Sequence, residues 1–199
     1  MNNSQKQVWN NIAEEWHEFK TIPSEKSIEF LKKQKGNILD LGSGSGRHLV
    51  KIKNGKIWLL DFSEEMIKLA KKKAKEKGIE AEYVISDLTK IPFEDNFFDA
   101  AICISSLHCI EGEKNREKTI KELYRVLNPK AKALIGVWNK NSKRFKNSGK
   151  EKYVKWRDKG ERYYYLYDEK EIHELFKKNN FKIKQSFNSE MMINFIVEK

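Results

Sequence analysis

A doubly wound α/β domain with a seven-stranded, mostly parallel sheet is the fold that the sequence predicts. Three observations carry the prediction. Short apolar runs alternate with stretches of helical periodicity, the pattern that builds parallel sheets. A glycine-rich turn, "GSGSG", directly follows the first apolar run. The last two apolar runs are joined only by "NSE", so they form a hairpin and put one antiparallel strand into the sheet. With 199 residues and no linker rich in Gly, Pro or Ser, the expectation is one domain spanning residues 1–199.

The elements follow in order. Ser24 caps a helix through Ile28 and Leu31 that stops at Gly36. "NILDL", "KIWLLD", "EYVISD" and "DAAICIS" read as four buried strands. Between the second and third, Ser63 accepts the free amides of a helix whose positive end meets Glu64 and Glu65 and which Gly78 closes. Six lysines from Lys68 to Lys77 are its solvated face. "EKTIKELYRVLNP" puts Ile120, Leu123, Tyr124 and Leu127 on one helical face and ends before Pro129. "KALIGVW" is the fifth strand. Asp168 and Glu171 have capping-box spacing ahead of Ile172, Leu175 and Phe176, and "FKIKQSF" and "MMINFIVEK" close the chain.

The composition narrows the function. No apolar stretch approaches the roughly 20 residues of a membrane span, and the N-terminal stretch lacks a charged leader followed by an apolar run. Cys103 and Cys109 both lie in an apolar stretch and lack the partners of a zinc site, so no metal site and a reducing, cytoplasmic setting are expected. The net charge is +11. Most of the excess is local: residues 139–162 hold ten Lys or Arg against Glu151, Asp158 and Glu161. A concentrated patch of this kind points to a polyanionic partner more than to a solubilising coat.

The glycine turn suggests what is bound. Three acids sit at comparable places: Asp40 before the glycines, Asp61 at the end of the second strand and Asp87 at the end of the third. In a doubly wound sheet the ligand crevice lies at the carboxyl ends of the strands, so all three are expected to converge there. Gly42, Gly44 and Gly46 let the backbone pass where a Cβ would collide. The spacing is G-x-G-x-G, and Arg47 stands where a dinucleotide fingerprint has its last glycine. A phosphate-poor, cationic ligand suits this better: Asp40 would meet an ammonium group, Asp61 ribose hydroxyls and Asp87 an adenine amine.

The stretches "LDLGSGSG", "LLDFSEEMIKLAKKKA", "ISDLTKIPFEDNFFDAAICISSLH" and "IKELYRVLNPKAKALIGVW" resemble, in order, the motifs of class I S-adenosylmethionine-dependent methyltransferases, which share a Rossmann-like fold. The resemblance runs from Trp9 to Lys199. It implies S-adenosylmethionine as cofactor and S-adenosylhomocysteine as product. Asp40 and the glycines would hold the methionine part, Asp61 the ribose, Phe62 the adenine face, Asp87 and Leu88 the adenine edge, with Ile104 on the floor.

Two more stretches, "VWNNIAEEWHEF" and "RYYYLYDEKEIHEL", resemble the tRNA methyltransferases that esterify 5-carboxymethyluridine at the wobble position. That family has an "RYYH"-type motif after a basic insertion and "IHH" after the fourth strand. Here the matching residues are Arg162, Tyr163, Tyr164 and Tyr165, and Leu107, His108 and Cys109. Tyr165 and Cys109 replace histidines, and the arginine of the family's N-terminal segment is missing, with Lys20 the nearest cation. The resemblance implies a tRNA anticodon loop as partner, and a small zinc-binding activator protein paired with the sheet.

In that reading His108, Arg162 and Tyr163 orient the acceptor. Arg47, Lys143, Arg144, Lys152, Arg157 and Tyr165 contact RNA. A carboxylate acceptor is ionised near neutral pH and needs alignment, not a general base. Tyr163, Tyr165 and Tyr167 equally fit one face of an amphipathic strand, and His108 a satisfied core histidine. Two other functions share the core: a small-molecule methyltransferase of quinone or sterol type, and a non-catalytic RNA-binding module.

Overall fold

The computed structural model describes residues 4–199. Two short helices open it, α1 (Gln5–Asn11) and α2 (Ala13–Phe19), followed by α3 (Glu25–Lys32). Strands β1 (Lys35–Leu41) and β2 (Lys53–Asp61) lead to α4 (Glu64–Glu76), then β3 (Ala81–Ile85) and β4 (Phe98–Ile104). A 3-10 turn (Leu107–Cys109) precedes α5 (Glu113–Val126) and β5 (Leu127–Trp138). A hairpin of β6 (Glu151–Lys155) and β7 (Glu161–Tyr165), helix α6 (Glu169–Lys178), β8 (Lys182–Ser186) and β9 (Met192–Glu198) complete the fold.

Seven strands form one sheet in the order β3-β2-β1-β4-β5-β9-β8. All pairs from β3 to β5 are parallel, and β9 runs antiparallel to both β5 and β8. The fold class is the expected one, including the antiparallel strand of the C-terminal hairpin. The chain steps outward from β1 to β3 and then returns to β4 on the other side of β1. The crevice at this switch point opens at the carboxyl ends of β1 and β4, where the glycine turn lies.

Strand alternation divides the core into two layers. Leu39 and Leu41 pack with Ile120, Leu123 and Phe176 beneath α5 and α6, whereas Ile38, Ile57 and Leu59 pack with Ile67 and Ala70 of α4. The expected caps form: Ser63 Oγ accepts from the Met66 N–H at 3.1 Å, and an Asp168 carboxylate oxygen from the Glu171 N–H at 2.8 Å. Boundaries shift where register overrides local signals. Gly36, with φ +78°, lies within β1 instead of ending α3, and Leu127 opens β5 instead of closing the helical face.

The basic segment holds the second sheet, in which Glu151 faces Tyr165 and Lys155 faces Glu161. It is stitched to the N-terminal helix: Gln5 donates to the Glu161 carbonyl at 3.1 Å and accepts from the Tyr163 N–H at 2.9 Å. Neither face of β7 is free, because Tyr163 and Tyr164 are both buried. This corrects the single-faced amphipathic strand.

The β1–β2 register depends on one small residue. A Cβ on Gly55 would lie 2.0 Å from the Gly36 carbonyl oxygen, so two backbones meet where no side chain fits. Gly55→Ala is therefore expected to lower stability by about 1–3 kcal/mol, the usual range for overpacking, read as a lower midpoint in urea unfolding.

Candidate functional site

The glycine turn is fixed by hydrogen bonds to its neighbours. The N–H groups of Gly42 and Ser43 both donate to the Leu60 carbonyl, at 2.8 and 3.0 Å. The Gly44 N–H donates to one carboxylate oxygen of Asp61 at 2.8 Å, and the other oxygen accepts from the Ser63 N–H at 3.0 Å. Ser106 Oγ donates to the Gly42 carbonyl at 2.8 Å, tying β4 to the turn. Three successive amides are thus spent inside the protein. They are not available to cradle a pyrophosphate, which agrees with the phosphate-poor ligand expected from the spacing.

The three glycines serve different ends. A Cβ on Gly42 would strike Ser106 at 2.4 Å, so this position keeps β1 and β4 together. At Gly44 the nearest atom is the Met66 sulfur at 3.9 Å, and the space beyond is the cleft. Gly46 departs from the expectation: its Cβ would meet Leu49 and Ala70, so it packs the turn on α4 and does not line the cleft.

The cleft has a volume of about 440 Å³ and gathers Gly42, Gly44, Asp61, Phe62, Asp87, Leu88, Ile104 and Arg47 of the residues singled out by sequence. A turn without side chains, a strand-end carboxylate and the apolar group Phe62, Leu88 and Ile104 fit a nucleoside with a short charged tail. Asp40 lies elsewhere. It is buried behind the turn, with one carboxylate oxygen lacking a hydrogen-bond partner among the described residues. Burial raises its pKa to about 7 against the opposing pull of Arg47. Asp40 therefore sets the field around Arg47 and the turn instead of touching the cleft. Burial also raises Asp61, to about 6, opposed by the N–H groups it accepts from.

The acceptor-orienting residues need more correction. His108 is buried; its Nδ1 accepts from the Trp138 N–H at 3.1 Å, and its ring stacks on Trp138. Burial lowers its pKa to about 3, so it is a neutral core histidine outside the cleft. Tyr163 is buried too, between the Arg116 guanidinium at 3.1 Å and the Glu151 carboxylate at 3.0 Å. Tyr165 borders a separate hollow between β7, α5 and α6, where it bonds Glu171 and carries the Arg116 guanidinium 3.9 Å from its ring centre. Arg162 is 6% exposed and lies among Trp16, Trp156 and Tyr164, donating to the Tyr164 hydroxyl at 2.7 Å. None of the four lines the cleft.

The N-terminal helices contribute to the cleft wall instead. Trp9, Trp16 and Lys20 line the cleft together with Arg47, His48 and Cys109. Sequence alone pointed to Lys20 only as the nearest cation to a missing arginine. The signal for the tryptophans was their helical spacing in "VWNNIAEEW".

Much of the charge in the basic segment is already matched. Arg157 and Lys159 pair with Glu15 at 3.2 and 2.7 Å, and Lys150 pairs with Glu171 at 2.8 Å. Lys143 and Arg144 are exposed, with the Arg144 guanidinium 5.3 Å from the Phe145 ring, while Lys152 lies against Ser148. Of the residues expected to meet RNA, Lys143, Arg144 and Arg157 are exposed, and Arg157 is paired with Glu15. Among the described residues there is no metal-binding cluster of three or more His, Cys, Asp or Glu, and no helix is long and apolar enough to cross a membrane. Cys103 and Cys109 are both free thiols.

Comparison with known proteins agrees with this geometry. Residues 39–135 match the family model described as a methyltransferase domain. A tRNA (carboxymethyluridine(34)-5-O)-methyltransferase from Arabidopsis thaliana is 36% identical over 101 residues, covering 51% of this chain and 24% of that protein. A ubiquinone/menaquinone biosynthesis C-methyltransferase from Yersinia pestis is 31% identical over 110 residues, covering 52% and 43%. The chain thus spans less than half the length of these curated relatives. A SAM-dependent methyltransferase structure from Methanosarcina mazei has a TM-score of 0.73 at 23% identity, over 89% of this chain and 98% of its own. A Burkholderia thailandensis 1,6-didemethyltoxoflavin-N1-methyltransferase, solved with its substrate and S-adenosylhomocysteine, has a TM-score of 0.74 at 16% identity, over 98% and 86%.

The buried Asp40 carboxyl makes stability depend on pH. Its folded pKa of about 7 lies above the ordinary 3.8, so the folded state holds the proton longer than the unfolded chain does. Stability is then greatest below about pH 4 for this group and declines as pH rises towards 7. Asp40→Asn is expected to flatten that decline, seen as a smaller spread of melting temperatures between pH 4 and 7.5.

Proposed function

We infer that this chain, which carries a methyltransferase domain on the class I fold, transfers a methyl group from S-adenosylmethionine to the carboxylate of 5-carboxymethyluridine at the wobble position of tRNA. The observation that carries the reading is the mixed lining of the cleft. The glycine turn, Asp61, Phe62, Leu88 and Ile104 share it with Lys20, Arg47 and the rings of Trp9 and Trp16. Flat aromatic faces and cations together suit an extruded base carrying negative charge. The partial likeness to a tRNA carboxymethyluridine methyltransferase supports the same reading.

The cofactor supplies an activated methyl group on a sulfonium. A carboxylate acceptor needs no proton removed, so the protein's contribution is positional. Asp61, its carboxylate fixed by the Gly44 and Ser63 N–H groups, would hold the ribose, and Phe62 and Leu88 would take the adenine. Lys20 and Arg47 would hold the acceptor's charge while the tryptophans exclude water. Such alignment supplies several kcal/mol. In the same reading Lys143 and Arg144 contact the RNA backbone, and a small zinc-binding activator extends the sheet at the β3 edge, where Ile85 is 50% exposed.

A second reading, methylation of a small quinone-type acceptor, is favoured by the similar match to the quinone C-methyltransferase. The cations in the cleft lining count against it, since a neutral ring has no use for them.

The two readings separate on the product. Incubation with labelled cofactor and tRNA bearing 5-carboxymethyluridine is expected to yield methyl label released by mild alkali, the mark of an ester; alkali-stable label, or label only on added quinol, rejects the tRNA reading. Asp61→Ala is expected to weaken S-adenosylhomocysteine binding at least tenfold by calorimetry. The affinity for tRNA is expected to fall steeply between 50 and 200 mM salt, because phosphate contacts release counterions.

A further inference from the structure

Lys20 and Arg47 line the cleft, and two further cations, Arg144 and Arg162, stand near Lys20. Burial and the charges of Arg47, Arg144 and Arg162 all depress the pKa of Lys20, so these three guanidiniums lie within electrostatic reach of its ammonium. Among the described residues none of the four makes an ion pair. Glu18, the acid nearest to Lys20 in the chain, is exposed; Glu15 is engaged by Arg157, Lys159 and the Trp156 indole N–H, and Glu111 on the cleft wall accepts from the Tyr153 hydroxyl. Like charges held together in a partly dry site repel one another, and an anion bound among them removes that repulsion.

The members differ in what they can reach. Arg162 is enclosed by Trp16, Trp156 and Tyr164. Arg47 belongs to the glycine turn and answers Asp40. Lys20 sits on the cleft wall at the end of α2, with its ammonium 4.7 Å from the centre of the Phe19 ring. Phe19 is 61% exposed and contacts Trp156 edge-on, so an aromatic ring stands in solvent beside the Lys20 ammonium.

We propose that Lys20 is the specificity residue for an anionic group on the acceptor base, and that Phe19 beside it is the surface on which the base or its neighbour stacks. The occupant is a single-stranded nucleotide segment whose base carries a carboxylate; the proposal rests on the tRNA reading above. Arg162 is then a positioning residue, whose charge holds the Trp16 and Trp156 rings in place beneath the lip.

The test is equilibrium binding, in the presence of S-adenosylhomocysteine, of anticodon stem-loop RNAs that differ only at the wobble base. One carries 5-carboxymethyluridine and the other the neutral carbamoylmethyluridine. The wild-type protein is expected to prefer the acid by about tenfold, in line with one charge-assisted hydrogen bond. Lys20→Gln is expected to bring the ratio close to one, Lys20→Arg to keep most of it, and Phe19→Ala to weaken both RNAs alike while leaving the ratio unchanged. A thermal melt of each variant checks the fold. A Lys20→Gln protein that keeps the wild-type preference overturns the role of Lys20 and leaves the tRNA reading standing. A wild-type protein that binds both RNAs equally overturns this proposal alone, and one that binds neither overturns the tRNA reading and this proposal with it.

Discussion

The site depends on one bidentate contact. The Asp61 carboxylate receives the Gly44 N–H on one oxygen and the Ser63 N–H on the other, so a single side chain joins the glycine turn to the start of α4. The contact works with the bonds of the turn to Leu60 and Ser106 and with the Ser63 cap on α4. Pinning both from the end of β2 gives the cleft a floor of fixed shape. It also keeps a carboxylate in an interior that would otherwise favour its neutral form, because each N–H offsets part of the desolvation.

The sheet was legible because its signals are local and repeated. Apolar runs, the Ser63 and Asp168 caps and the short C-terminal connection each act within a few residues. The cofactor residues were legible for a related reason: Gly42, Gly44, Asp61, Phe62, Asp87, Leu88 and Ile104 lie at strand ends, and the topology alone brings strand ends together. Asp40 and Gly46 match the motif as letters but face inward. Strand alternation sends Asp40 to the α4 side, and the tight packing against Ala70 claims Gly46.

The N-terminal wall of the cleft was not legible, and the reason is distance along the chain. It comes from α1 and α2, while the residues that the motif singled out come from β7 and the turn after β4. Tyr163, Tyr164 and His108 have polar atoms suited to substrate, yet each atom is engaged by the protein: Arg116 and Glu151, Arg162, and the Trp138 N–H respectively. Nothing in the local sequence reports which partner a tyrosine finds. Likewise, the charge count of the basic segment could not reveal that Glu15, more than 100 residues away, had already claimed Arg157 and Lys159.

The two hydrogen bonds between Gln5 and β7 span separations of 156 and 158 residues. Closing so large a loop forfeits chain entropy, and these two bonds restore it only together with those that tie Lys6 and Asn10 to the start of α4. One short helix is thereby fastened at once to the β6–β7 hairpin and to the helix that follows β2, so segments from both ends and the middle of the chain share a single joint.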